Sequence, residues 1–147
     1  MVTASDDISV TLFSEILSVE QLARQNVAKV LPKGMELSQF AVLNHLAHIG
    51  SERTPAQLAR AFHLTRGAMT NTLGKLEWAG WVHIRPDWDD ARRKLVSISP
   101  SGLSARNAAL ERITPLISGV VATIGEEKVR AALPVLRALR QELSAGD

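Results

Sequence analysis

The sequence predicts a mainly α-helical fold with a small β-hairpin wing: a winged helix-turn-helix plus a helical dimerisation bundle. Three observations carry this. Two short helical patterns lie a tight turn apart between Thr54 and Gly80. Two alternating runs, residues 81–85 and 95–98, follow around a charged segment. Long apolar stripes occupy both ends of the chain, beyond what a small core needs. The expected organisation is an N-terminal dimerisation helix over 1–37, a winged helix-turn-helix over 38–99 and C-terminal dimerisation helices over 100–147.

The first element, with Ile8, Leu12, Ile16, Val19, Ala23, Val27 and Val30 at spacings of three and four, predicts an amphipathic helix of roughly twenty-four residues. Leu31-Pro32-Lys33-Gly34 ends it. Ser38 is the expected cap of a second helix to about Ile49, with Phe40, Leu43, Leu46 and Ala47 inward. Thr54, Pro55 and Gln57 then form a capping box with proline at the first helical position, followed by Leu58, Ala59 and Phe62. His63-Leu64 is the turn, and Thr65 caps the next helix. That helix buries Met69, Leu73 and Leu76 and stops at Gly80.

The alternating runs predict two short antiparallel strands, with residues 86–94 as a loop too polar to pack, projecting into solvent. Ser99-Pro100 starts another helix, whose stripe runs from Leu103 to Ile124. Gly125 breaks it, and Glu126-Glu127 opens a last helix carrying Val129, Leu133, Leu136, Leu139 and Leu143. Pro115 and Pro134 fall inside helical patterns and predict kinks.

Composition narrows the function classes. At 147 residues and 46% apolar content the chain can bury a sizeable core. It has no cysteine, which excludes disulfides, thiol redox sensing and thiolate metal sites. No apolar run reaches the roughly eighteen residues a membrane helix needs, so no membrane partner is expected. The acidic start MVTASDDISV lacks signal-peptide blocks, and the expected location is the cytoplasm. Net charge is only +2, but its distribution is uneven. Residues 1–37 carry three basic and five acidic side chains (−2), residues 38–99 eight and five (+3), and residues 100–147 six and five (+1). The positive excess lies where a polyanion would dock.

The second helix of a helix-turn-helix usually reads a DNA major groove. Thr65, Arg66, Gly67, Thr70 and Asn71 start this helix or lie opposite its apolar stripe, and Lys75 flanks them. Arg66, Thr70 and Asn71 can donate to base edges or phosphates, and asparagine pairs bidentately with adenine. Their bland alternative is solvated surface, and the motif favours DNA. Gly67 and Gly74 each disfavour the helix by up to about 1 kcal/mol, a cost that close approach to DNA would explain. Lys75 is expected at a phosphate. In the wing, Arg92 is the candidate for minor-groove insertion, with Asp90 orienting it through a fork-shaped pair. Arg93 and Lys94 are phosphate neighbours or solvated charge. Exposed Trp88 suggests packing on a partner or on DNA.

His45 and His48, three apart, could ligate zinc, yet no carboxylate or cysteine set accompanies them, and surface or pocket-lining histidine is the expected role. No metal, cofactor or catalytic residue is assigned. No nucleophile–base spacing or phosphate-cradling glycine loop appears, so an enzyme is not expected.

The order of elements, and above all GWVHIRPDWDDARRKLVSISPSG over residues 80–102, resembles the MarR family of winged-helix transcriptional regulators. Asp90 and Arg92 match the family's D-x-R wing, and Ser99 with Gly102 its final threonine/serine-x-x-glycine. The resemblance implies a homodimer on a pseudopalindromic double-stranded operator, with half-sites about 10 bp apart. It also implies a repressor released by a small aromatic or phenolic effector. The family's pocket position would place Phe13, His45 or His48 near that effector. Two departures are Ala91, where the wing usually carries a second basic residue, and Ser99 for threonine. The absence of cysteine removes the oxidant-sensing mode of some branches. The competing expectation is a winged helix used as a protein-interaction module with no operator of its own.

Overall fold

The structure, a computed structural model, describes residues 3–145. It comprises α1 (Ala4–Val30), α2 (Leu37–Ile49), α3 (Pro55–Ala61), α4 (Arg66–Trp78), β1 (Val82–Asp87), β2 (Asp90–Ile98), α5 (Pro100–Ile124) and α6 (Glu126–Ser144). The order matches the expected winged helix-turn-helix between flanking helices. Two compact units are distinguished, residues 1–112 and 113–147. No single helix among the described residues is long and apolar enough to cross a membrane.

In the first unit the core gathers on α2, α3, α4 and the hairpin. Leu43, Leu58, Met69, Leu76 and Val96 are fully buried, with Val42, Leu46, Leu73 and Val82 nearly so. Each such side chain stabilises the fold by about 1.5–3 kcal/mol. Local signals set the helix ends. The Thr54 hydroxyl accepts from the Gln57 backbone N–H (3.1 Å) while the Gln57 side chain accepts from the Thr54 N–H (2.9 Å). At the end of α3 the chain turns through His63, whose φ of +52° is left-handed. The His63 and Leu64 N–H groups then donate to Arg60 and Ala59 carbonyls. The end of α4 repeats this pattern with Gly80 (φ +78°), where Gly80 and Trp81 donate to Glu77 and Leu76.

Several boundaries differ from expectation. α1 starts earlier, at Ala4, because Thr3 and Asp6 form a capping box. α2 begins at Leu37, so Ser38 lies inside its first turn. The Gln39 side chain accepts from the Glu36 N–H at 2.7 Å, and Gln39 and Val42 take the buried places while Phe40 and Ala47 are half-buried. The wing has a shorter tip than the expected loop over residues 86–94. Strand pairing reaches Pro86 with Lys94 and Asp87 with Asp90, with an irregularity between Pro86 and Asp87. Arg53 adds an isolated bridge to the outer side of β2, exchanging backbone hydrogen bonds with Val96 at 3.0 and 2.8 Å. α5 continues through Pro115 and α6 through Pro134, and Gly125 (φ +113°) separates the two helices.

The hairpin meets the ends of α4 and α5 at a joint built on Ser99. Ser99 Oγ donates to the Gly80 carbonyl (2.6 Å) and accepts from the Gly102 N–H (2.9 Å), while the Ser99 N–H donates to the Trp81 carbonyl (3.0 Å). A Cβ on Gly102 would sit 1.9 Å from that Trp81 oxygen. Gly102→Ala is therefore expected to cost about 3 kcal/mol through forced backbone displacement, read as a lower midpoint in chemical denaturation. A midpoint equal to the wild type's would refute this account of the joint.

Candidate nucleic-acid interface

The residues opposite the buried stripe of α4 are all exposed: Arg66, Gly67, Thr70, Asn71, Gly74 and Lys75. Thr65 precedes them as the cap, its hydroxyl accepting from the Ala68 N–H at 3.1 Å. A Cβ added at Gly67 or Gly74 would meet nothing within 4 Å. Neither glycine is required by the chain's own packing or by its backbone angles.

The structure brings helix and wing candidates together. A groove of about 480 Å³ runs between the starts of α3 and α4 and the charged part of β2. Arg66 and Thr70 line it from α4, Arg92, Arg93 and Lys94 from β2, and no carboxylate lines it. Low-dielectric walls carrying charge of one sign concentrate field in such a cleft, which favours an anionic ligand.

The wing itself is more internally paired than its sequence suggests. Arg92 is 93% exposed at its side chain, and its contact with Asp90 is a single one, Nε to Oδ1 at 3.4 Å, in place of the expected fork. Asp90 Oδ1 also accepts from the Arg92 backbone N–H at 3.1 Å, which closes the turn locally. Asp87 is buried, against the expectation that the whole segment projects into solvent. Its Oδ1 accepts from the Asp89 N–H (3.0 Å) and its Oδ2 from the Arg93 guanidinium (3.0 Å). The Asp89 N–H first, then Arg93, hold its carboxyl below the usual carboxylate range against the opposing effect of burial. Arg85 donates to Glu52 (2.9 Å) and to the Pro86 carbonyl (3.0 Å), and its guanidinium lies 5.7 Å from the centre of the Trp88 ring. The sequence implies that wing carboxylates such as Asp87 are paired, but it singles out neither Arg93 as that partner nor the tie from Arg85 of β1 to Glu52 before α3.

Comparison with known proteins identifies the family. The MarR family profile matches residues 33–93. An uncharacterised helix-turn-helix transcriptional regulator of Mycobacterium bovis is 30% identical over 129 residues, 86% of this chain and 90% of that protein. The chain belongs to the MarR family. Among solved structures, a mutant MarR from E. coli complexed with operator DNA superposes with a TM-score of 0.80 at 22% identity, covering 93% of this chain and 98% of that one. An organohalide-sensing transcriptional regulator in its 2,4-dichlorophenol-bound form gives 0.82 at 21%, covering 93% and 82%. Those two likenesses show the fold that this chain adopts.

Within this MarR protein the remaining expected site residues are dispersed. Lys75 Nζ pairs with the Glu36 carboxylate at 3.2 Å, an exposed ion pair between the start of α2 and α4. His45 is half-buried with its ring edge-on to Phe62 (5.2 Å, 69°), His48 is exposed, and Phe13 is 41% exposed on α1. None of these three lines the groove beside α4. No group of three or more metal-ligating side chains occurs among the described residues.

Because nothing packs against Gly74, Gly74→Ala is expected to raise stability by about 0.5–1 kcal/mol through helix propensity alone. A higher thermal midpoint checks this, and a lower one would show that α4 needs the glycine internally.

Proposed function

We propose that this protein is a homodimeric transcriptional regulator that binds a pseudopalindromic double-stranded DNA operator, a repressor released by a small aromatic or phenolic effector. The observation that carries the DNA reading is the carboxylate-free groove in which Arg66 and Thr70 of α4 meet Arg92, Arg93 and Lys94 of β2. In this reading α4 enters the major groove. Thr65, Arg66, Thr70 and Asn71 contact bases or phosphates, and Gly67 and Gly74 permit close approach. Arg92, held lightly by Asp90, enters the minor groove. Lys94 and, once released from Glu36, Lys75 serve phosphates, while Arg93 stays paired with Asp87.

Residues 1–37 and 100–147 supply the dimer contacts. Exposed Ile8, Leu17, Val19 and Leu22 on α1 and Val135, Leu136 and Leu143 on α6 support that role, since apolar side chains exposed in such number gain by covering. The effector reading draws on the 2,4-dichlorophenol-bound relative. Its contacts in this chain are assigned to Phe13, His45 and His48. The competing reading, a protein-interaction module without an operator, draws on Trp78, 92% exposed at the end of α4.

Selection of bound fragments from a random duplex pool separates the two: a recovered palindrome supports the regulator, and its absence supports the module. On the recovered duplex, Arg92→Ala is expected to weaken binding to all sequences and reduce the salt slope by about one, whereas Asn71→Ala changes sequence preference. Wild-type behaviour of both variants would overturn these two assignments.

A further inference from the structure

Asp87 sits at the weakest point of the wing, next to the break in register between β1 and β2. It is nonetheless the buried carboxylate of the segment, 8% exposed, and both its oxygens are engaged. One closes the tip through the Asp89 N–H, and the other reaches across the hairpin to Arg93. Successive side chains of a strand point to opposite faces. Fixing Arg93 on the Asp87 side therefore fixes which way Arg92 points. Arg92 is the side chain left 93% exposed, while Arg93 is 57% exposed and Asp87 9%. Arg85, two residues before Asp87 on β1, is tied to Glu52 and lies against Trp88, so the strand that carries Asp87 is also anchored to the segment between α2 and α3.

We infer that Asp87 is a positioning residue of the DNA-binding wing. By pairing with Arg93 across the hairpin it leaves Arg92 directed outward, and its negative charge beside a polyanion is tolerated for that reason. The inference rests on the DNA-binding reading above. It makes a prediction opposite in sign to simple electrostatics, in which removing a carboxylate near DNA tightens binding.

The test uses the full-length chain and a duplex recovered with the wild type. Asp87→Asn keeps an oxygen for the Asp89 N–H but loses the ion pair. The Asp87→Asn/Arg93→Gln double variant removes one charge of each sign and leaves net charge unchanged. Both are expected to bind about tenfold more weakly. In the double variant the salt slope is expected to fall by about one as Arg92 loses its contact. The slope does not depend on the fraction of protein folded, so it separates mispositioning from simple destabilisation, which thermal unfolding records independently. Asp87→Asn binding as tightly as the wild type or tighter, or a double variant with wild-type affinity and slope, overturns the inference while leaving the regulator reading intact. A wild type that retains no duplex overturns that reading, and this one with it.

Discussion

The wing meets α4 and α5 through the buried Ser99 hydroxyl. It holds the carbonyl that follows α4 and the N–H of the first turn of α5, while the Ser99 backbone holds Trp81 at the root of β1. With Ser99 buried, these bonds form away from competing water and fix direction as well as distance. Gly102 lets α5 come close enough for them to form. Together with the Arg53–Val96 bridge and the Arg85–Glu52 pair, this joint holds the hairpin beside α4, and the cationic groove lies between the two.

Half of the basic side chains in the winged part are paired within the protein. Lys75, Arg85, Arg92 and Arg93 each meet a carboxylate: Glu36, Glu52, Asp90 and Asp87. Three of these pairs lie within residues 38–99 and are already counted in its +3 excess. Only Lys75, paired with Glu36 outside that span, lowers the charge offered to a ligand. These pairs are largely exposed and each is worth little to stability. Their effect is geometric, since each ties a long side chain to one direction. The loss of a basic residue at Ala91 is felt against this background, with Arg92 the most exposed of the paired wing cations.

Features written within three or four residues were legible in the sequence. The Thr54–Gln57 box, the Thr65 cap, the stop at Gly80 and the break at Gly125 depend on neighbours along the chain, and each lies where its residues predict. The long apolar stripes were legible for the same reason. Features requiring distant partners were not. Nothing near Lys75 announces Glu36, 39 residues earlier, and nothing near Arg85 announces Glu52, 33 residues earlier. The start of β2 was hidden because Asp90, Arg92, Arg93 and Lys94 have poor strand propensity, and cross-strand partners override it. Asp87 and Arg93, six apart, become visible as a pair only once the hairpin register is known. For α2 the usual serine cap misled, because the Gln39 side chain satisfies the N–H of Glu36 instead.

The small sheet also carries a liability that its charges answer. Two strands leave two open edges, and an open edge is a template for another chain's backbone. Arg53 occupies the outer side of β2 at Val96. Further along the same strand, Arg92, Arg93 and Lys94 set repulsive charge against a second copy, and on β1 Pro86 has no N–H to offer. The basic residues that suit the wing to a polyanion thus also act as gatekeepers against strand addition, so the hairpin can stay exposed without seeding aggregation.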